Sequence, residues 1–338
     1  MTPAQAEPPP SSKPNKDPQS SLFWRLLLTL MIGFSLPVLA CFGLILTSAV
    51  AFNLLTSGAQ DESIGTSGSG DAVAIIRANG VILSGISSPF DTGIASADWI
   101  VNNVERAAAD DSVKAIVLAV DSPGGGVVAS DLIYHGFSQV DKPIVVSMGD
   151  VAASGGYYIS MAADWVIANP NTLTGSIGVI SEFPNAEELL GKIGVELVVI
   201  KSGENKDIGS FARDMTLEER QIWQGIIDET YNGFVQIVAD GRNLPEDQVR
   251  ELADGRIYTG RQALALKLVD ALGYEEDAIA KAAELGGIQG QPRIIEYRRR
   301  PAIEDFLTGF ASRSTLPSPA EIIRWIGLPS LSARWIGP

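Results

Sequence analysis

The sequence has very few of the side chains that most often bind transition metals: one histidine, His135, and one cysteine, Cys41, in 338 residues. A structural zinc site usually takes four ligands from Cys and His, so such a site is excluded, and a lone cysteine excludes any disulfide within the chain. Basic residues are also in the minority, with Lys+Arg 25 against Asp+Glu 40 and a formal net charge of -15. An acidic chain repels nucleic acid, so we expect no nucleic-acid partner. We also expect no metal and no other cofactor.

The N-terminal part of the sequence is predicted to cross a membrane once. Residues 1–25 are rich in Pro, Ser and Lys and are predicted to form a disordered cytoplasmic tail. Residues 26–55 carry no charge and are long enough for a transmembrane helix. The residues just before this span are basic and the first charged residues after it are acidic, which places the N-terminus in the cytoplasm and the rest of the chain outside.

Two alternatives for this span remain: a cleaved signal peptide, and a lipoprotein signal in which Cys41 is the lipid-modified residue. The apolar run continues past Cys41 to Leu55, which a lipoprotein signal does not require. A retained helix is therefore the favoured prediction.

Residues 56–71 are rich in Gly and Ser and predict a flexible linker, and a folded domain is expected over residues 72–290. Strands are predicted at 72–78, 114–120, 143–148, 165–168, around 176–180, and at 195–200. Helices are predicted at 96–109, 128–139, 153–163, 216–240, 245–253, 260–267 and 275–285. This alternation is typical of an α/β domain with a buried parallel sheet. Residues 291–338 are expected to form a last strand, at 293–297, and a loosely structured tail.

A glycine-rich turn, Asp121–Val127, follows the strand predicted at 114–120. Its three consecutive glycines leave backbone N–H groups unshielded, and such groups can bind an oxyanion. A phosphate-binding loop would need a Lys-Ser/Thr pair that is missing here. A tight turn between strand and helix is the simpler alternative.

Ser154 is the candidate nucleophile. It precedes Gly155 and Gly156, which each cost about 1 kcal/mol relative to Ala inside a helix, so something other than helix formation should favour them. A serine at a helix N-terminus among small residues is accessible to substrate and lies in a field that favours negative charge. The alternative is that Ser154 is an ordinary N-cap.

A nucleophilic serine needs a base. His135 lies in a predicted helix and has the context of an ordinary surface or packed residue. A lysine made neutral by burial can replace histidine, and Lys206, in the polar loop after the strand predicted at 195–200, can reach the same sheet edge as Ser154. The alternative is a solvated lysine kept charged by Asp207. Ser176 offers a hydroxyl that could orient a lysine amine.

Four segments stand out in the order DSPGGGV, ASGGYYIS, ANPNTLTGSIGV and KSGENKDIGS. Together they resemble the signal peptide peptidase A family of bacterial membrane-bound serine proteases. The resemblance implies a Clp protease/crotonase-like fold of repeated ββα units over residues 72–290. It further implies that Ser154 is the nucleophile, Lys206 the general base and Ser176 the hydroxyl that holds the Lys206 amine. The oxyanion hole would be formed by the glycines Gly124, Gly125 and Gly155.

The same resemblance implies a serine endopeptidase anchored in the bacterial cytoplasmic membrane, with its catalytic domain on the extracytoplasmic side. It would cleave remnant signal peptides and other apolar segments through an acyl-enzyme. The family assembles active sites from neighbouring protomers, so a ring-shaped or dome-shaped homo-oligomer is expected. A crotonase-like acyl-CoA enzyme and a non-enzymatic membrane scaffold are the alternatives.

Overall fold

A computed structural model describes residues 62–65, 70–85, 93–298 and 332–334. All of these residues belong to one compact unit, Gln60–Pro338. No helix within the described ranges has the length and apolarity needed to cross a membrane. The predicted tail and transmembrane helix lie outside these ranges, as do Cys41 and most of the predicted linker and C-terminal tail.

The described residues form an α/β structure with two sheets. The strands are β1 (Glu62–Gly65), β2 (Ala72–Asn79), β3 (Val81–Leu83), β4 (Ile94–Ser96), β5 (Val113–Ser122), β6 (Gly124–Gly126), β7 (Ile144–Ala153), β8 (Trp165–Ala168), β9 (Leu173–Gly175), β10 (Ile257–Thr259), β11 (Ala271–Leu272), β12 (Arg293–Arg298) and β13 (Ser332–Arg334). The helices are α1 (Ala97–Ala109), α2 (Val127–Ser138), α3 (Gly155–Ser160), α4 (Glu187–Ile193), α5 (Leu217–Arg242), α6 (Glu246–Leu252), α7 (Gly260–Ala265) and α8 (Glu275–Leu285), with a 3-10 helix at Glu204–Asp207.

The main sheet has the strand order β1-β12-β2-β5-β7-β8-β11, and β9 pairs with the end of β7 and with β10. Its pairs are parallel except β1 with β12 and β9 with β10. The smaller sheet has the order β13-β6-β3-β4, and β13 pairs antiparallel with the glycine strand β6. The predicted α/β class with a parallel sheet is confirmed.

Both faces of the main sheet are buried, because successive side chains of a strand enter different cores. On β2, Ile76 belongs to a core that also contains Phe137 of α2 and Tyr157 of α3. Its neighbour Ile75 belongs to the core on the opposite face, where it is clustered with Ala282 of α8. Burial on both faces explains why the strand sequences are continuously apolar rather than alternating.

Three predicted elements differ in the structure. The strand predicted at 195–200 is wrong: the segment has no regular structure and is exposed. Its β-branched residues favour a strand, but no other strand of the described chain pairs with it, and a strand needs a partner for its backbone groups. The strand predicted around 176–180 lies earlier, at β9. The helix predicted at 153–163 is shortened to α3 because β7 continues through Ala153.

Candidate active site

Ser154 occupies a strained turn between β7 and α3. Its φ is 56°, in the left-handed region that few residues other than glycine adopt. The Ser154 N–H donates to the Gly175 carbonyl at 2.7 Å, and the Ser154 carbonyl accepts from the Tyr158 N–H at 2.8 Å. These bonds to a neighbouring strand and to the helix hold the serine in its unusual conformation. Strain of this kind is concentrated at functional sites.

The Ser154 hydroxyl does not cap helix α3, although the residue stands at the N-cap position. The alternative interpretation of Ser154 as an ordinary N-cap is therefore wrong. The residue is 1% exposed, and no described residue forms a hydrogen bond with its hydroxyl. Instead, Ser154 lines a cavity of about 590 Å³, which we call the Ser154 cavity. A buried serine with an uncommitted hydroxyl facing a cavity has the placement that a nucleophile needs.

The residues after Ser154 fasten α3 to the sheet. A Cβ on Gly156 would lie 2.7 Å from the backbone oxygen of Ser122, so only glycine fits where the helix meets the end of β5. The Tyr157 hydroxyl is fully buried and donates to the Leu268 carbonyl at 2.8 Å, and this burial raises the pKa of Tyr157 above its ordinary value. Close packing explains why a glycine stands in this helix.

Ser176 lies beside Ser154 because β9 pairs with the end of β7, with Ala153 opposite Gly175. It too has a positive φ, 49°, and its N–H donates to the Arg256 carbonyl at 2.8 Å. Ser176 is 8% exposed and lines the Ser154 cavity. The structure therefore brings these two sequence-predicted serines to one cavity.

Most walls of the Ser154 cavity come from parts of the chain that the sequence did not single out, with Val179 of the segment ANPNTLTGSIGV as an exception. Apolar walls are formed by Val179, Ile180, Ile227, Tyr231 and Ala253. Helix α5 supplies two of these residues, and its amphipathic pattern alone predicts only a packed face. No sequence signal separates a residue that lines a cavity from one that fills a core.

The glycine-rich turn forms strand β6. A Cβ on Gly125 would lie 2.0 Å from the Ile82 oxygen, so the turn requires glycine for packing against β3. Gly124 has a φ of 94°, and its N–H donates to the Ser122 hydroxyl at 3.0 Å. The amide of Gly124 is thus already engaged, which leaves it less available to an oxyanion than the resemblance implies.

Lys206 lies in the 3-10 helix, is exposed, and is not among the residues that line the Ser154 cavity. Five of the seven lysines between residues 72 and 290 contact a carboxylate or carbonyl oxygen through their ammonium groups: Lys114, Lys142, Lys192, Lys201 and Lys281. Lys206 and Lys267 make no such contact with any residue that the structure describes. Within one chain, Lys206 is therefore uncommitted but is not brought to Ser154.

The charge of Asp207 is compensated by residues other than Lys206. Its carboxylate accepts from Lys201 at 2.7 Å and from Arg213 at 2.8 Å, and Arg213 also pairs with Glu219, which is 2% exposed. The hydrogen bonds from Arg213 and Lys201 hold the pKa of Asp207 well below its ordinary value. The Arg213 guanidinium likewise lowers the pKa of Glu219 to about 2. Asp207 is thus held in an ion-pair cluster with Lys201 and Arg213 rather than with Lys206.

This cluster predicts an acid-sensitive Lys206 loop. Glu219 has a folded pKa of about 2 against an ordinary 4.5, so its stabilising contribution is fully present above pH 4.5 and is lost as the pH falls towards 2. We expect the hydrogen-exchange protection factors of residues 204–219 to fall over that window, and an Arg213→Met variant to show low protection at every pH. Unchanged protection of this segment from pH 5 to pH 2.5 would contradict the prediction.

His135 is exposed on α2 and does not line the Ser154 cavity. Within the described ranges, no group of three or more His, Cys, Asp or Glu side chains could hold a metal ion. The polar side chains that line the Ser154 cavity are the hydroxyls of Ser154 and Ser176 and the carboxylates of Glu182, Asp228 and Asp254.

Comparison with known proteins agrees with this geometry. Residues 137–289 match peptidase family S49, and residues 85–174 match the Clp protease family. A protein of Enterococcus faecium named "Putative signal peptide peptidase SppA" is 35% identical over 294 residues, which cover 85% of this chain and 83% of that protein. The chain belongs to the SppA family of serine proteases. Its α/β fold is Clp protease-like.

Other SppA-family relatives are longer than this chain. Protease 4 of Salmonella typhi is 39% identical over 70% of this chain, and the match covers 38% of that protein. A chloroplastic serine protease SPPA of Arabidopsis thaliana is 34% identical over 76% of this chain, and the match covers 39% of that protein. The chain thus spans less than half the length of these two relatives.

Proposed function

We propose that the chain is a membrane-anchored serine endopeptidase in which Ser154 is the nucleophile, Lys206 the general base and Ser176 the hydroxyl that orients the Lys206 amine. The observation that carries the proposal is the Ser154 turn, which presents an uncapped, unpaired hydroxyl to a cavity lined by apolar side chains and by the acidic residues Glu182, Asp228 and Asp254. Ser176 lines the same cavity at the next strand. Membership of a serine protease family supports this assignment.

In the proposed reaction, neutral Lys206 accepts the Ser154 proton as the serine oxygen bonds to the peptide carbonyl carbon. The tetrahedral oxyanion then collapses with cleavage of the C–N bond, and the amine leaves with a proton from Lys206. Water, deprotonated by the same lysine, hydrolyses the acyl-enzyme. The Gly155 N–H lies in the first turn of α3, where N–H groups have no acceptor within the helix. The Gly155 N–H is therefore the best-placed oxyanion donor. Gly125 and Gly124 are the further candidates, the latter after releasing the Ser122 hydroxyl.

We assign completion of the site to a second copy of the chain, because residues 195–200, just before the Lys206 loop, pair with no strand that the structure describes. Residues 195–200 place apolar side chains in water, with Val198 80% exposed and Ile200 97% exposed. Monomeric proteins rarely expose such contiguous apolar segments, and the unpaired backbone of a strand-forming sequence is a template for pairing. Two buried polar atoms of a cavity that Arg213 also lines, Ser181 Oγ and Trp223 Nε1, lack a described partner as well. A homo-oligomer would bury the segment and desolvate Lys206, which favours its neutral form.

The proposed substrate is an extended apolar peptide. Strand β13 of this chain pairs antiparallel with β6, with Ala333 opposite Gly125, so one edge of the glycine strand accepts an extended segment. A peptide can add to a sheet edge in the same way, with its side chains in neighbouring pockets. The apolar walls of the Ser154 cavity suit aliphatic side chains. The uncharged residues 26–55 support an anchor that would bring the site close to remnant signal peptides in the membrane.

Labelling with a fluorophosphonate tests the nucleophile. The reagent forms a covalent bond with an activated serine oxygen, so we expect one labelled tryptic peptide, with the adduct on Ser154. Prior treatment with an apolar peptide aldehyde should block the label. An adduct on any other serine, or no adduct on the assembled protein, would contradict the proposal.

A further inference from the structure

A second cavity, of about 570 Å³, lies at the carboxyl ends of β2, β5, β7 and β8, on the face of the sheet covered by α8. We call it the Asp121 cavity. Its polar lining residues include Asn79, Asp121, Ser147, Asp150, Asn169 and Asn171. The carboxyl ends of parallel strands are where open α/β sheets bind ligands. The proposed peptidase mechanism uses none of these residues.

Ser147 indicates that the Asp121 cavity is built for a ligand. The residue is 8% exposed and lines the cavity, yet no described residue forms a hydrogen bond with its hydroxyl. It lies opposite Ala119 on the neighbouring strand β5, whose small side chain also lines the cavity and leaves space above the hydroxyl. The Ser147 hydroxyl can therefore form a hydrogen bond with a group that enters the cavity.

The charges of the Asp121 cavity favour a cation. Its one basic side chain, Arg77, is held by Glu275 at 2.8 Å and by Glu296 at 2.6 Å, so its charge is compensated. Asp121 and Asp150 form no ion pair with a described residue. One oxygen of Asp121 accepts the Val151 N–H at 3.1 Å, which orients the carboxylate. Two uncompensated carboxylates would repel an anion.

We infer that an organic cation suits this lining. No described group of three or more His, Cys, Asp or Glu side chains is placed to hold a metal ion. An ammonium or guanidinium group carries several N–H donors, which match two carboxylates, the Ser147 hydroxyl and the amide oxygens of nearby asparagines.

The paired strands β7 and β9 line the Asp121 cavity and lead into the turns that line the Ser154 cavity. Val151 and Leu173 face each other in register and line the Asp121 cavity. Three residues further along each strand, Ser154 and Ser176 line the Ser154 cavity. Three residues of strand span about 10 Å, a distance that three or four residues of an extended peptide also cover.

We propose that the Asp121 cavity binds a Lys or Arg side chain of the substrate, a few residues from the scissile bond. This inference rests on the proposed peptidase function and adds a specificity element to it. Substrates would then be apolar segments flanked by a basic residue. The apolar part would occupy the Ser154 cavity, and the basic side chain would reach Asp121, Asp150 and Ser147.

Matched peptides test the inference on the full chain in detergent. Each pair shares one apolar core and carries either Lys or norleucine at a single position two to five residues from the scissile bond, on either side. At one position we expect kcat/KM at low salt to be about tenfold higher for the Lys peptide than for the norleucine peptide. One charge-assisted hydrogen bond accounts for a difference of this size. This ratio should fall as salt is raised, because the ion pairs at the cavity mouth are screened.

Charge-removing variants locate the effect. Asp121→Asn combined with Asp150→Asn keeps the size of both side chains and the acceptor for the Val151 N–H, and should lower the Lys/norleucine ratio to about one. Asp141→Asn, which removes an exposed carboxylate outside the cavity, should leave the ratio unchanged. If the double variant does not fold, the salt dependence of the wild-type ratio decides.

The outcomes separate the two proposals. Equal cleavage of Lys and norleucine peptides at every position would overturn the inference and leave the peptidase proposal intact. Cleavage of no peptide at all would overturn the peptidase proposal. In that case the affinities of the same peptides for the Ser154→Ala chain, measured by fluorescence anisotropy, test the cavity alone. Equal affinities would then overturn the inference as well.

Discussion

We expect Ser154→Ala to lower kcat/KM for an apolar peptide by about 10⁴-fold or more, and Lys206→Met by about 10³-fold or more, because each variant removes one half of the nucleophile and base pair. Both variants should remain folded and assembled. Ser154 lies in a turn fixed by backbone bonds to Gly175 and Tyr158, and Lys206 makes no contact through its ammonium with any described residue. Neither substitution therefore removes a stabilising side-chain contact. The measurement is steady-state cleavage of a quenched peptide, with circular dichroism and sedimentation as checks.

Matched controls make this test specific. Ser160→Ala removes a buried hydroxyl from the same helix, one that is bonded to the Gly156 carbonyl and does not line the Ser154 cavity. Lys267→Met removes the other lysine whose ammonium lacks a described partner. Both controls should keep near-wild-type activity. Activity within tenfold of wild type for Ser154→Ala or Lys206→Met would reject the assignment of that residue.

The second prediction concerns where the base comes from. If Lys206 reaches Ser154 from a neighbouring copy, then mixing unfolded Ser154→Ala and Lys206→Met chains and refolding them together should restore activity. With equal amounts and random assembly, half of the sites contain Ser154 and half of those receive Lys206, so about a quarter of wild-type activity should return. Each variant refolded alone should stay inactive.

The exposed apolar segment provides the control for this mixing experiment. Placing Ile200→Asp in both chains puts a charge where residues 195–200 would be buried between copies, so it should prevent assembly and with it the rescue. Sedimentation should show smaller species. No rescue in the mixture, with assembly of both variants intact, would mean that each copy supplies both residues of its own site. Rescue that survives Ile200→Asp would mean that a different surface joins the copies.

A single chain brings the two serines to one cavity but does not bring the lysine there. Ser154 and Ser176 are fixed by the pairing of β7 with β9, which brings their turns to one cavity. Lys206 is exposed, in a local 3-10 helix beside an ion-pair cluster around Asp207. In the proposed assembly, the nucleophile is preorganised by the fold, whereas the base becomes desolvated only through contact between copies.

The sequence by itself determined the class of the fold and the type of chemistry. Largely apolar runs such as residues 72–78, in alternation with helical patterns, are typical of a parallel sheet buried on both faces, so the α/β class follows from local pattern. The scarcity of histidine and cysteine favours Ser154 as the nucleophile and a lysine as the base. Glycines beside Ser154 marked a place where the backbone must bend or approach closely, and Gly156 does lie against Ser122.

Only the tertiary structure decided what depends on partners distant in sequence. Residues 195–200 have a strand-forming composition but find no strand to pair with in the described chain, and composition cannot report a missing partner. Ser154 does not cap α3, because β7 extends to Ala153, the residue before Ser154, and the Ser154 backbone has a positive φ. The Asp121 cavity brings together residues that are distant in sequence, such as Ala119 on β5 and Ser147 on β7. Local propensity acts over a few residues, whereas pairing, cavities and charge compensation join residues that the chain itself keeps far apart.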